Sequence, residues 1–254
     1  MKLYLFIAAL LTNLLVAEAE PVRVLLITGQ NNHDWKEVDP HIIKSLEETG
    51  RFKVEVTESS EKFPPARLQE FDVLLSNWNL LKQGKNLYPE FGWSPEMKEA
   101  YINFVKDGGG HVSIHAGSSS YWGWKEYQEL SIATWSKGTH HGPHHSFEVR
   151  MDKPEHPVTK GLSNFKKWDE LWESIHVTDK NAKVITSNFS SKESGGEGIW
   201  EPSTLVSQYG KGRTAYTSLG HAGKAFDSKD FRVLFARLVE WAGTGEVTIP
   251  APAK

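Results

Sequence analysis

The stretch "VRVLLIT", residues 22–28, followed at once by Gly29, decides the fold. Its apolar residues run almost without interruption instead of alternating with polar ones. A strand with one wet face alternates. An unbroken apolar run suits a strand covered on both faces, the habit of parallel sheets flanked by helices. Working outward, Asp39-Pro40 offers a helix cap and first-turn proline, and Ile42, Ile43 and Leu46 follow at helical spacing before Gly50. "FKVEV" (52–56) and "FDVLLSN" (71–77) read as further strands. Ser94-Pro95-Glu96 opens a second helix whose Met97, Ala100, Tyr101, Phe104 and Val105 share one face. After Asp107 and three glycines, "HVSIH" (111–115) is the next strand. Strand, helix, strand, strand, helix, strand is the signature of an open α/β sheet with helices on both faces.

The second half reads as strands and loops. "SFEVRM" (146–151), "AKVITS" (182–187), "STLVSQY" (203–209) and "RTAYTSL" (213–219) are expected strands, the last two joined at Gly210-Lys211-Gly212. Phe231, Leu234, Phe235 and Leu238 mark a closing helix. With no internal repeat and no linker composition, residues 20–254 are expected to form one domain.

The first 19 residues, "MKLYLFIAALLTNLLVAEA", put one lysine before a short apolar run and end in Ala17-Glu18-Ala19. We read a secretory signal peptide cut after Ala19, hence a periplasmic or secreted protein with no stable membrane insertion. The chain of 254 residues has net charge −3 and no cysteine. The charge gives no footprint for nucleic acid. The missing cysteines exclude disulfides, thiolate ligands and a thiol nucleophile, so any transition metal must be held by imidazole and carboxylate. Ten tryptophans, several in polar settings such as "SNWNL" and "SYWGWKEY", suggest platforms for sugar rings, against the ordinary alternative of core packing.

In open α/β sheets ligands bind beyond the carboxyl ends of the strands. His33 follows the first strand, Trp78 and Asn79 the third, His115 the fourth, and His221 the last. The loop "THHGPHHSF" (139–147) adds four histidines, and Asp169-Glu170 adds carboxylates. Imidazoles and carboxylates without thiolates suit zinc, manganese or iron, although no His-Glu-x-x-His helix is present. His111, His41 and His156 read as structural or solvent-facing. A serine hydrolase built on Ser118–Ser120 lacks the Gly-x-Ser-x-Gly elbow.

The stretches "GQNNHDW", "GGGHVSIHAG", "YWGWKEYQEL", "EHPVTKGL", "WDELW", "QYGKGRTAYTSLGH" and "FARLVEWAGTG", in this order from about Val22 to Gly245, resemble the ThuA-like trehalose-utilisation family. The resemblance implies a flavodoxin-like three-layer sandwich with a mostly parallel sheet, similar to class I glutamine amidotransferases. His115 then stands at the turn where that superfamily carries its cysteine, so thioester chemistry is excluded. The resemblance also implies a small-molecule sugar or glycoside as substrate, in oxidised 3-keto form, and recurrent polar residues at His33, His115, His141, His145, Glu170 and His221.

From these readings we expect a metal-assisted lyase or hydrolase. His115, His145 and His221 are the expected ligands of a divalent ion. His115, Glu170 and His33 are the expected catalytic groups. Trp78, Asn79, Trp122, Trp124 and His141 are expected to contact the sugar. The alternative is a carbohydrate-binding protein without catalysis. The sequence leaves room for a homo-oligomer.

Overall fold

The computed structural model of the chain describes residues 20–79, 81–82, 85–86, 93–120 and 124–252. The expected signal segment and Trp122 lie outside the described residues. A nine-stranded sheet spans the domain. Its strands are β1 (Val22–Ile27), β2 (Phe52–Thr57), β3 (Val73–Ser76), β4 (Gly110–Ile114), β5 (His145–Met151), β6 (Phe165–Asp169), β7 (Lys183–Ser190), β8 (Ile199–Tyr209) and β9 (Gly212–Thr217). Their spatial order is β6-β5-β7-β8-β9-β4-β3-β1-β2. Strands β2, β1, β3, β4 and β9 pair in parallel, while β8, β7, β5 and β6 extend the sheet with antiparallel pairing.

The apolar run of β1 divides its side chains between two cores. Val22, Val24 and Leu26 pack with Val38, Ile42 and Leu46 of helix α1 (Trp35–Glu47) and with Phe231, Leu234, Phe235 and Leu238 of helix α4 (Lys229–Thr244). Leu25 and Ile27 pack on the opposite face with Met97, Tyr101, Phe104 and Val105 of helix α2 (Pro95–Lys106). Both faces are therefore dry, which is why the run does not alternate. Full burial of Ile42 and Leu46 stabilises this arrangement by roughly 2 kcal/mol each. A short helix α3 (Lys125–Leu130) follows the turn after β4.

Helix α1 and strand β6 differ instructively from the sequence reading. Helix α1 starts at Trp35, capped by Asp34, whose side chain accepts from the amide of Glu37 at 3.2 Å. Asp39 is instead buried and accepts from Asn77 Nδ2 at 2.8 Å, so it ties α1 to the end of β3 and leaves Pro40 inside the helix. Strand β6, "FKKWD", escaped the sequence reading because its buried positions are Phe165, Lys167 and Asp169. A strand that buries a charge pair does not show apolar alternation.

That charge pair shapes the molecule. The extension curls until β6, the far edge of the sheet, meets the start of α4. Lys167 Nζ lies 3.5 Å from the ring centre of Phe231 and 2.5 Å from Asp169 Oδ2, with both charged side chains fully buried. Asp169 then accepts from the amides of Gly220 at 2.7 Å and His221 at 3.1 Å. The antiparallel edge is thereby fastened to the loop that leaves the last parallel strand. Among the described residues no helix is long and apolar enough to cross a membrane.

Candidate metal centre

Four side chains meet where these elements converge. His33 comes from the loop after β1, His115 from the turn after β4, His221 from the loop after β9, and Glu170 from the end of β6. Each offers one ligand atom, and the four atoms lie within 4.8 Å of one another. His115 Nε2 is 3.2 Å and His221 Nδ1 is 3.4 Å from Glu170 Oε2. The two imidazole nitrogens are themselves 3.3 Å apart. The rings of His33 and His115 stand edge to face at 4.8 Å, and those of His33 and His221 at 4.7 Å.

Local backbone explains the convergence. His115 has φ 46°, in the left-handed region that non-glycine residues avoid. This conformation turns the chain sharply out of β4 and brings its ring over the sheet end. The turn fits because residue 117 is glycine: a Cβ there would stand 2.0 Å from the carbonyl oxygen of Ser76 at the end of β3. On the β1 side, Asn79 is fully buried and its Nδ2 donates to Asn31 Oδ1 at 3.0 Å and Asn32 Oδ1 at 2.7 Å. Asn79 thus props the turn that carries His33, and it acts through that turn rather than from the cleft.

The outward-facing nitrogens are held in a ligand-ready form. A carbonyl oxygen only accepts, so the 2.6 Å contact between His115 Nδ1 and the Ser218 carbonyl places a proton on Nδ1 and turns Nε2 toward the cluster. His33 Nδ1 makes the same kind of contact with Asn31 Oδ1 at 3.1 Å. A ring proton given to an oxygen behind it is the usual support of a metal-binding histidine. Burial, together with neighbouring His115 and His221, pushes His33 down to about 2, so it is neutral and able to donate its lone pair at neutral pH. Burial would raise Glu170, but hydrogen bonds and charge from His115 and His221 hold its carboxyl far below the usual carboxylate range. Burial would lower His221, yet Glu170 raises it. The donor set, three imidazole nitrogens and one carboxylate oxygen, fits a tetrahedral or expanded site for zinc, or for manganese or iron.

The loop of four histidines divides. His141 Nε2 and His144 Nε2 lie 3.3 Å and 3.2 Å from Glu170 Oε1, the oxygen that faces away from His115. His140 points to Glu173 at 3.9 Å. His145, expected as a ligand, is outside the cluster: its Nδ1 meets the Pro143 carbonyl at 2.8 Å and its ring lies against Phe147. The Gly142-Pro143 turn is the reason. It folds residues 141 and 144 to the same side, while 145 has already entered β5 opposite Asp169. The partner of His141 in the site is thus His144, not His145.

A cleft of about 250 Å3 opens beside the cluster, lined by Asn32, His33, Ala116, Ser119, Trp135, His141, Glu170 and Trp172. Its aromatic walls are Trp135 and Trp172, edge to face at 5.0 Å. Trp172 also donates from Nε1 to Glu170 Oε2 at 2.8 Å. The expected sugar contacts Trp78 and Trp124 are buried in the α2-side core, with Trp124 stacked on Tyr127 at 5.3 Å. Ser118 is fully buried and donates to the His115 carbonyl, so its hydroxyl does not face the cleft. A larger groove of about 1010 Å3 runs past Arg51, Arg232 and Ile249, but none of the histidines lines it. Trp135 carried no signal in the sequence, and His144 and Asp169 were visible there only as part of a histidine-rich loop and a carboxylate pair, without their roles.

The trehalose-utilisation family model, ThuA, matches residues 23–242. The chain belongs to the ThuA family. A ThuA-like protein from Parabacteroides merdae is 26% identical over 92% of this chain and 94% of its own, with a TM-score of 0.79. A second ThuA-like protein, from Bacteroides uniformis, is 21% identical over 91% of this chain and 96% of its own, with a TM-score of 0.67. A β-galactosidase from Rahnella sp. R3 shares the fold over 91% of this chain and 32% of its own length, at 15% identity and a TM-score of 0.55. No curated relative matches the chain. ThuA membership ties the chain to carbohydrate metabolism, and the architecture is the α/β sandwich that the ThuA resemblance implies.

Proposed function

We propose that this ThuA-family chain is an exported, metal-dependent lyase or hydrolase of oxidised sugars, acting on the glycosidic carbon of a 3-keto-glycoside. The observation that supports it is the set of four ligand atoms, on His33, His115, His221 and Glu170, within 4.8 Å of one another beside an aromatic-walled cleft. These four residues would hold the ion, which when bound supplies Lewis acidity to a carbonyl oxygen and lowers the cost of negative charge on it. At about 250 Å3 the cleft lies just under the range for drug-sized ligands, a size that suits a single sugar ring.

The residues divide the remaining work. Trp135 and Trp172 present apolar faces to the C–H face of the ring. His141, on the cleft wall, faces the C2 side of the ring, and the C2 proton that a C3 ketone makes acidic passes to solvent water there. As the C2–H pair forms the C1–C2 double bond, the C1–O bond breaks and the departing oxygen takes a proton. Addition of water across that double bond then gives the free 3-keto sugar. No oxidant or reductant is consumed. Asn32 and Ser119 line the same wall and offer hydrogen bonds to ring hydroxyls.

The test is product release from a chromogenic 3-keto-glucoside, assayed with metal-loaded and chelated protein. Release that depends on the ion and is absent in His115→Ala supports the reading. Saturable binding of the sugar with no release under zinc, manganese or iron supports instead a carbohydrate-binding role for the two tryptophans.

A further inference from the structure

Glu170 has two oxygens, and only one belongs to the cluster described above. Oε2 faces His115 and His221. Oε1 faces His141 Nε2 at 3.3 Å and His144 Nε2 at 3.2 Å. His141 Nδ1 lies 2.8 Å from the Gly142 carbonyl, which can only accept. That contact places a proton on Nδ1 and turns Nε2 toward the carboxylate oxygen. Two imidazole nitrogens converging on one carboxylate oxygen are a donor set suited to a divalent cation. The backing of Nδ1 by a carbonyl repeats the pattern of His115 with Ser218. His144 completes the outer group, its ring packed at 4.4 Å against His221 and at 5.4 Å against Trp168.

We infer that the chain binds a second divalent cation on the outer oxygen of Glu170, held by His141 and His144, so that Glu170 bridges two metal positions. The inference rests on the metal reading of the inner cluster and extends it. Carboxylate-bridged pairs of ions are a recurrent arrangement in hydrolytic sites, where the second ion binds water or substrate. The outer imidazoles are partly exposed, with side chains 41% and 36% accessible, against 3% for His115. The outer ion is consequently the weaker and more exchangeable one, and it sits at the side from which substrate enters.

The test is equilibrium dialysis of metal-free protein against Zn2+ and, separately, Mn2+, with ions counted per chain and the Mn2+ sample read by electron paramagnetic resonance. Wild type is expected to hold two ions, with a spin-coupled Mn2+ signal. His141→Ala/His144→Ala is expected to hold one, with an uncoupled signal and unchanged circular dichroism. One ion in both proteins overturns the outer site and leaves the inner one standing. Two ions in both place the second elsewhere and also overturn it. No ion in either removes the inner site as well.

Discussion

The Nδ1 atom of His115 lies 2.6 Å from the carbonyl oxygen of Ser218. This contact joins the turn after β4 to the loop after β9 and decides which nitrogen of His115 is free. The free nitrogen looks directly at Glu170. The site is therefore pre-arranged by backbone atoms of two neighbouring parallel strands, and its chemistry follows from where one proton is forced to sit.

The left-handed backbone of His115 gives a first prediction. Alanine keeps the strain and removes the ring, whereas glycine removes both. His115→Gly should be more stable than His115→Ala by about 1 kcal/mol in urea unfolding, with both folded and both poor in metal. Equal stability of the two variants would show that the conformation is not strained.

Trp172 gives a second. Its indole N–H holds Glu170 Oε2 at 2.8 Å. Trp172→Phe keeps an aromatic wall and loses that hydrogen bond. Metal affinity should fall by about 10- to 100-fold in a chelator competition, with little change in melting temperature. Unchanged affinity would mean that the hydrogen bond does not orient the carboxylate.

The buried pair of Lys167 and Asp169 gives a third. Lys167→Met leaves Asp169 charged and without its partner in a fully buried position. The expected cost is about 3–5 kcal/mol of stability. Because Asp169 also holds the amides of Gly220 and His221, the variant should lose metal affinity even where it remains folded. A loss under about 1 kcal/mol would contradict the role given to this pair.

Acid stability gives a fourth. Burial pushes His111 down to about 3, and its Nδ1 pairs with the Tyr101 hydroxyl at 2.8 Å in the α2-side core. In the unfolded chain the same imidazole takes up a proton near pH 6.5. Between pH 6.5 and about 3 the unfolded state thus binds one more proton than the folded state, and stability falls as pH falls. The slope from this group is about 1.4 kcal/mol per pH unit. His111→Leu should flatten the decline in unfolding free energy between pH 6.5 and 4.5. An unaltered slope would mean that His111 is protonated in the folded protein.

Much of the fold was legible because burial on both faces leaves an unmistakable apolar run at 22–28 and the helical face at 97–105 repeats every three or four residues. Of the site, His33, His115 and His221 could be singled out because each follows a strand at the carboxyl edge, and Glu170 through the ThuA resemblance. Strand β6 was not legible, because its buried face carries Lys167 and Asp169. The choice between His144 and His145 was not legible either. It depends on how the Gly142-Pro143 turn rotates the chain by one position, and no composition or spacing rule sets that angle. Trp78 and Trp124 misled because polar neighbours in sequence do not reveal that an indole points inward.

The account stands most directly on one measurement, the metal content of purified full-length protein and of its His115→Ala/His221→Ala variant after reconstitution with zinc, manganese or iron. It predicts at least one tightly held ion per wild-type chain and the loss of that ion from a variant whose circular dichroism is unchanged. A wild type that retains no ion, or a variant that retains as much as the wild type, would contradict it.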